Sequence, residues 1–143
     1  MNNEKILLVD DEEEFVEALS ERMTLREISV VTAPNGTEAI RLVGKESFDC
    51  VILDMMMPEL DGIETLTEML KIDKDLQVIM LTGHATVQKG VEAIKLGAMD
   101  FLEKPADIEK LVQLIKEAKM KRLMLVEKQT QAMVEDIMKR KGW

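Results

Sequence analysis

Short apolar runs alternate regularly with amphipathic helical patterns along this chain of 143 residues. Three runs end abruptly at a polar residue: Ile6 to Val9, Val51 to Leu53, and Val78 to Leu81. Two weaker candidates are Ile28 to Val31 and Phe101 with Leu102. Runs this short, rich in Val and Ile and apolar at consecutive positions, are typical of strands buried on both faces of a parallel sheet.

Between the runs, apolar residues recur at the spacing of one helix face. These stripes are Phe15, Ala18, Leu19 and Met23; Ala39, Ile40 and Val43; Leu66, Met69 and Leu70; Val87, Val91 and Ile94; and Ile108, Leu111, Val112 and Ile115. Five strand-then-helix units in order predict a doubly wound α/β domain, with helices on both faces of the sheet and right-handed crossovers.

The composition excludes several classes of protein. With 46% hydrophobic and 33% charged residues, 3 Pro and 7 Gly, the chain is neither disordered nor collagen-like. The single Cys50 cannot form an intramolecular disulfide. No apolar run reaches the ~20 residues of a membrane span, and the first run is too short for a signal peptide. We therefore expect a soluble cytoplasmic domain with no membrane partner.

Polar residues follow the strands at one edge of the predicted sheet. Asp10 and Asp11 follow the first run, Asp54 the third, Thr82 the fourth and Lys104 the fifth. In parallel α/β sheets the functional site lies outside the carboxyl ends of the strands. We expect these five side chains to converge there.

Converging carboxylates repel one another, and a hard divalent cation with oxygen ligands relieves that repulsion. Mg²⁺ fits best, because it commonly joins one or two carboxylates with phosphate oxygens. Asp54 follows apolar residues and could act as a nucleophile that forms an aspartyl phosphate. Lys104 and Thr82 could then stabilise the charge on the phosphoryl oxygens.

Each of these residues, taken alone, also has a structural explanation. Asp10 and Asp11 could favour the positive end of the first helix, together with the acidic residues 12–14. Asp54 could be a turn residue, Thr82 the start of a loop, and Lys104 a surface lysine. The shared position of all five at one edge favours the functional interpretation.

Four segments carry a resemblance to the receiver domains of bacterial two-component response regulators, over roughly residues 4 to 120. They are Ile6 to Asp11 (ILLVDD), Asp54 to Gly62 (DMMMPELDG), Leu81 to Ala85 (LTGHA) and Gly97 to Pro105 (GAMDFLEKP). The resemblance implies a flavodoxin-like five-stranded sheet of order 2-1-3-4-5.

The resemblance also implies the chemistry. Asp54 would accept a phosphoryl group from a phosphohistidine on a sensor histidine kinase or a phosphotransfer protein. Asp10, Asp11 and Asp54 would bind Mg²⁺, with the backbone carbonyl of Met56 as a further ligand. Intrinsic phosphotransfer and slow autodephosphorylation are expected of a signalling domain that is not a classical enzyme.

The same resemblance implies a switch. Lys104 would pair with the phosphoryl group, Thr82 would turn toward it, and Phe101 would move inward with Thr82. The moving surface would include the last two helices. Met56 and His84 stand where side chains tune the lifetime of the phosphoryl group, and the sequence does not determine that lifetime.

The C-terminal residues continue one helical pattern, without Gly or Pro, from about residue 107 to residue 141. We predict a receiver domain at 1–120 and a helical extension at 121–143. Five residues in the extension follow a 3-4-3-4 spacing: Leu123, Val126, Thr130, Met133 and Ile137. This spacing predicts a coiled coil that pairs two copies of the chain; a partly frayed solvated helix is the open alternative.

Charge divides between the two parts. Residues 1–106 carry 22 acidic and 10 basic residues, a net charge of −12, whereas residues 107–143 carry 6 and 9, a net charge of +3. The charge argues against nucleic acid as a partner of the first part, and only weakly for the tail. We expect the output to pass through protein contacts.

Three other functions are compatible with parts of this pattern. A metal-dependent phosphatase would need an acid near Asp54 to protonate a leaving group, and Met55 and Met56 follow it instead. A nucleotide-binding module would need a Gly-rich loop after the first strand, and no such loop follows Val9 in the sequence. A receiver-like scaffold that is never phosphorylated stays open, as does the choice between a stand-alone regulator and a segment of a longer protein.

Two glycines are interpreted as conformational. Gly62 and Gly97 are expected to supply positive φ at a turn and at a helix end.

Overall fold

The computed structural model describes residues 3–83 and 87–142, except for the side chain of residue 87. Within those residues five strands alternate with five helices. The strands are β1 (Lys5–Val9), β2 (Ser29–Ala33), β3 (Cys50–Asp54), β4 (Val78–Thr82) and β5 (Asp100–Glu103). The helices are α1 (Glu13–Thr24), α2 (Gly36–Val43), α3 (Gly62–Ile72), α4 (Val87–Lys95) and α5 (Ile108–Arg140).

All strand pairs in the sheet are parallel, and the strand order is β2-β1-β3-β4-β5. The predicted fold and strand order are therefore confirmed. The register pairs Val9 with Leu53, Asp54 with Leu81, and Thr82 with Glu103. This register brings the carboxyl ends of β1, β3, β4 and β5 to one edge.

The core consists of two layers, one on each face of the sheet. Leu8 and Ile52 pack with α1 and α5 residues such as Leu19 and Ile115. The strand residues that alternate with these, such as Leu53, pack on the opposite face of the sheet against α2, α3 and α4. Strand side chains alternate between the two layers because successive residues point to opposite faces.

Short polar side chains start three of the helices. Asn35 accepts a hydrogen bond from the backbone N–H of Glu38 at α2, and Asp61 accepts one from Glu64 at α3. Asp107 does the same at α5. These caps satisfy N–H groups that have no partner within the helix.

Two of the three residues in the apolar stripe predicted for α4 do not face the core, and the side chain of the third, Val87, lies outside the described part of the chain. Val91 and Ile94 are 46% and 39% exposed, whereas Gly90 and Ala93 are buried. The small residues allow α4 to approach the sheet closely: a Cβ at Gly90 would lie 2.7 Å from Cδ2 of Phe101. The larger side chains consequently point outward.

The two conformational glycines differ. Gly97 has φ +117°, as predicted at the end of α4. The positive φ expected at Gly62 is wrong. Gly62 is needed instead because a Cβ there would lie 2.7 Å from Cα of Met55 and 2.8 Å from the carbonyl oxygen of Asp54.

Helix α5 continues unbroken through residue 120, which confirms the extended C-terminal helix. Its extension contacts the loop between α3 and β4: Arg122 Nη2 lies 2.8 Å from Asp73 Oδ2, and Gln129 Nε2 donates to Asp75 Oδ2 at 2.9 Å. The apolar side chains of the predicted seam are exposed, among them Leu123 and Met133. The boundary at residue 120 stays a prediction.

No helix in the described part of the chain has the length and apolar character that crossing a membrane requires.

Candidate functional site

Two buried carboxylates lie side by side at the carboxyl edge of the central strands. Asp10 directly follows β1, and Asp54 is the last residue of β3, the neighbouring strand. Their side chains are 0% and 7% exposed, because the apolar residues of both strands hold this edge inside the protein. The strand register places them together, as the sequence predicts.

Glu12 is the third carboxylate of the cluster and was not among the predicted ligands, because its charge in the acidic stretch 12–14 is equally typical of a helix start. One carboxylate oxygen from each of Asp10, Glu12 and Asp54 lies within 4.8 Å of the other two. Asp10 Oδ1 accepts a hydrogen bond from the backbone N–H of Glu12 at 3.0 Å, which holds the start of α1 against the pocket. Asp11 is exposed and is not a member of this cluster.

Lys104 reaches the cluster from the end of β5. Its Nζ donates to Asp10 Oδ2 at 2.9 Å and to Glu12 Oε1 at 3.0 Å. Asp54 Oδ1 lies 3.6 Å from the same nitrogen, and the Phe15 ring centroid lies 4.6 Å away. Burial alone would lower the pKa of Lys104, but the hydrogen bonds to Asp10 and Glu12 raise it above its usual value. Lys104 is therefore a fixed positive charge in the pocket.

Asp54 has an unusual protonation equilibrium. Burial and the nearby charge of Asp10 raise its pKa to about 6, although Lys104 and a hydrogen bond from the N–H of Met56 act in the other direction. That N–H lies 3.3 Å from Asp54 Oδ1. At neutral pH the carboxylate is mostly ionised, yet a bound cation would still stabilise it strongly.

Thr82 and Phe101 lie on the neighbouring strands β4 and β5. Thr82 is the last residue of β4 and is buried, and its hydroxyl donates to the Gly83 carbonyl at 3.1 Å. Phe101 is half-buried and packs against the core layer beneath α2, α3 and α4. The prediction for His84 lies outside the described residues.

The donor set fits a hard divalent cation. Asp10, Glu12 and Asp54 present carboxylate oxygens at close range, and oxygen ligands of this kind suit Mg²⁺. Soft metals prefer thiolate or imidazole ligands, and Cys50 is buried within β3. Direct ligation by Asp11 and by the Met56 carbonyl stays a prediction.

The arrangement can perform phosphoryl transfer. A carboxylate can serve as the nucleophile and form an acyl phosphate. The remaining carboxylates can hold a cation, and an ammonium can neutralise the phosphoryl oxygens. Asp54, Asp10 with Glu12, and Lys104 supply these three components, so the geometry matches that chemistry.

Comparison with known proteins points to the same chemistry. The profile of the family described as "Response regulator receiver domain" matches residues 6–116. The chain is 39% identical over 113 residues to the transcriptional regulatory protein GlrR of Escherichia coli, covering 79% of this chain and 26% of that protein. The chain thus spans about a quarter of the length of that regulator.

Two shorter proteins match over nearly their whole length. Sporulation initiation phosphotransferase F of Bacillus subtilis is 38% identical over 116 residues, which cover 81% of this chain and 94% of that protein. The crystal structure of a response regulator receiver domain protein from Clostridium thermocellum superposes with a TM-score of 0.82 at 35% identity. That match covers 85% of this chain and 98% of the other.

Proposed function

We propose that Asp54 is the phosphoacceptor of this chain, which belongs to the response regulator receiver domain family. The protein is a phosphoacceptor domain of two-component signalling rather than a classical enzyme. Receiver domains take the phosphoryl group from histidine kinases or phosphotransferases. The proposal concerns which residues of this chain receive and hold that group.

One observation carries the proposal: Asp54 is a nearly buried carboxylate that shares a pocket with two further carboxylates and an ammonium group. Asp10 is wholly buried and hydrogen-bonded to Lys104, so Asp54 is the carboxylate with an oxygen available to a phosphorus atom. Glu12 is 65% exposed at the rim, where water would compete with the transfer.

In the proposed reaction an oxygen of Asp54 attacks the phosphorus of a phosphohistidine. The new P–O bond forms as the P–N bond breaks, and the histidine nitrogen leaves with the electron pair and takes up a proton. Asp10, Glu12 and Asp54 would hold Mg²⁺, with Asp11 and the Met56 carbonyl as further predicted ligands. When bound, the cation neutralises charge on the phosphoryl oxygens.

Lys104 would supply the second positive charge. Its Nζ is already 3.6 Å from Asp54 Oδ1, so a small movement places it against a phosphoryl oxygen. The hydroxyl of Thr82 would turn toward the same group and exchange its hydrogen bond with Gly83 for a phosphoryl oxygen. Phe101 would then follow Thr82 inward and change the surface formed by α4 and α5.

The partners are proposed from chemistry and surface. A sensor histidine kinase or a phosphotransfer protein in the cytoplasm would supply the phosphoryl group, and a downstream protein would receive the signal. The exposed apolar side chains of the α5 extension support pairing with a second copy of the chain. Nucleic acid is a poor partner for the acidic part of the chain.

The test is the intact mass after incubation with Mg²⁺ and acetyl phosphate. The parent protein is expected to gain one phosphoryl group and Asp54→Asn none. Asp136→Asn, which removes an exposed carboxylate on the α5 extension, is the matched control and is expected to gain one. An unchanged mass of the parent protein would favour a scaffold that is never phosphorylated and would contradict the proposal.

A further inference from the structure

We propose that Glu12 is a positioning residue, which holds the Lys104 ammonium on the α1 side of the pocket until a phosphoryl group arrives at Asp54. The proposal rests on the function proposed above for Asp54 and adds a residue that controls where Lys104 points. It concerns the resting arrangement of the pocket, before any phosphoryl group is bound.

The contacts of Lys104 are uneven. Among the described residues, Asp10, Glu12 and Asp54 have carboxylate oxygens within 4 Å of its Nζ, at 2.9, 3.0 and 3.6 Å. Only the first two distances are hydrogen bonds. The Phe15 ring adds a cation–π contact from the same side. Lys104 is thus drawn toward the start of α1 and away from the proposed phosphoacceptor.

Glu12 occupies the N-cap position of α1 but does not cap the helix. Its backbone is extended, and its side chain makes no hydrogen bond to an N–H of the first turn. An N-cap side chain ordinarily accepts such a bond. The carboxylate of Glu12 is directed to Lys104 instead, while Asp10 holds its backbone in place. This geometry favours a role toward Lys104 over a role in starting the helix.

Phosphoryl transfer requires Lys104 to change partners. Its ammonium must leave Glu12 to pair with a phosphoryl oxygen on Asp54, so the bond to Glu12 stabilises the state before transfer. Glu12 is 65% exposed, and an ion pair with one partner in water is weak. The expected effect on the rate is accordingly modest, about two- to five-fold.

Three variants separate the effect of the Glu12 contact on the position of Lys104 from the effect of negative charge alone. Glu12→Gln removes the charge of the contact, and Glu12→Asp keeps the charge but shortens the side chain. Glu13→Gln removes an exposed charge from the next residue and leaves Lys104 and its hydrogen bonds intact. Any general effect of net charge on an anionic donor appears equally in Glu12→Gln and Glu13→Gln.

The first measurement is the Nζ chemical shift of Lys104 by NMR without any phosphoryl donor, assigned by its absence in Lys104→Arg. We expect this shift to change in Glu12→Gln and Glu12→Asp and to stay constant in Glu13→Gln. The experiment does not depend on phosphorylation, so it tests the contact even if the parent protein gains no mass from acetyl phosphate. An unchanged shift in both Glu12 variants would overturn the proposal.

The second measurement is the rate of phosphorylation by acetyl phosphate at saturating Mg²⁺, together with the Mg²⁺ affinity by calorimetry. Both Glu12 variants are expected to react about two- to five-fold faster than Glu13→Gln. Glu12→Gln is expected to weaken Mg²⁺ binding more than Glu13→Gln, because Glu12 is one of the three carboxylates proposed to hold the cation, and calorimetry gives the Mg²⁺ concentration that saturates each variant. Equal rates in Glu12→Gln and Glu13→Gln at saturating Mg²⁺ would overturn the proposal.

Discussion

The ring of Phe101 occupies the space that a Cβ at Gly90 would need. Three of its carbons lie 2.7 to 3.0 Å from that position, closer than nonbonded atoms can remain. The missing side chain in α4 is therefore what allows the aromatic ring of β5 to lie against the helix. The two residues form one packing unit at the surface proposed to move on phosphorylation.

Gly90→Ala is expected to displace the Phe101 ring. Although alanine favours a helix interior by about 1 kcal/mol over glycine, the clash is expected to make the variant less stable by about 1–2 kcal/mol. The measurement is urea unfolding of Gly90→Ala, Phe101→Ala and the double variant. We expect the double variant to be more stable than Phe101→Ala alone, because alanine at position 90 then has room. If the losses of unfolding free energy in the two single variants simply added in the double variant, this packing would be contradicted.

Asp54→Asn is expected to stabilise the protein above pH 6. The pKa of Asp54 is about 6 in the folded protein and near 3.8 in the unfolded chain. Between these values the folded state binds more protons, so the free energy of unfolding falls as the pH rises from about 4 to 6, and it stays low above pH 6. Replacing the carboxyl group should raise the free energy of unfolding by about 2 kcal/mol at pH 7.5 in metal-free buffer, and by much less at pH 4.

Urea unfolding at pH 4 and pH 7.5 checks this dependence. Glu14→Gln removes an exposed carboxylate of α1 and should change stability little at either pH. Mg²⁺ should reduce the difference in unfolding free energy between the parent and Asp54→Asn at pH 7.5, because the cation binds and stabilises the ionised parent. If Asp54→Asn were less stable than the parent at pH 7.5, the assigned burial cost of the carboxylate would be wrong.

Arg122→Gln is expected to loosen the α5 extension. The Arg122 and Asp73 side chains are 15% and 24% exposed, and Arg122 also donates to Ser47 at 3.2 Å. Losing these contacts should cost about 1–2 kcal/mol of unfolding free energy. In the matched control Arg140→Gln, the lost pair with Asp136 is exposed and should cost less than about 0.5 kcal/mol. Equal losses in the two variants would contradict a fixed extension.

Gly62→Ala is expected to disturb the backbone that follows Asp54. A Cβ at residue 62 would collide with backbone atoms of Met55 and Asp54, which cannot rotate away as a side chain can. We expect a loss of about 2 kcal/mol or more and a slower phosphorylation of Asp54. Gly44→Ala is the control, because its nearest neighbour would lie at an ordinary 3.5 Å. A fully stable Gly62→Ala would show that the close approach is not required.

Much of the fold could be predicted because burial on both faces leaves a direct trace in the sequence. The apolar run Ile6–Val9 lies entirely within β1, and the residues after such runs meet at one edge of a parallel sheet. The meeting of Asp10, Asp54 and Lys104 follows from this rule alone. Their roles in phosphoryl transfer stay proposals until they are tested chemically.

Other features depend on side-chain directions and distances that no periodicity contains. Glu12 stands in an acidic stretch at the start of α1, where its charge is equally well explained by the helix dipole. Its contact with Lys104, 92 residues away, forms only when β1 and β5 take their places in the same sheet. The hydrophobic pattern of α4 also fails to show which face is outward, because Gly90 adds nothing to that pattern yet lies where the helix approaches the Phe101 ring.

The central claim is that the phosphoryl group is attached to Asp54. Phosphorylated protein is treated with borohydride, which reduces an acyl phosphate to an alcohol and so converts the modified aspartate to homoserine. Peptide mass spectrometry then locates that residue. The account predicts homoserine at position 54 alone, dependent on Mg²⁺ and the donor. Homoserine at another position, or phosphorylated protein with aspartate intact at position 54, would contradict it.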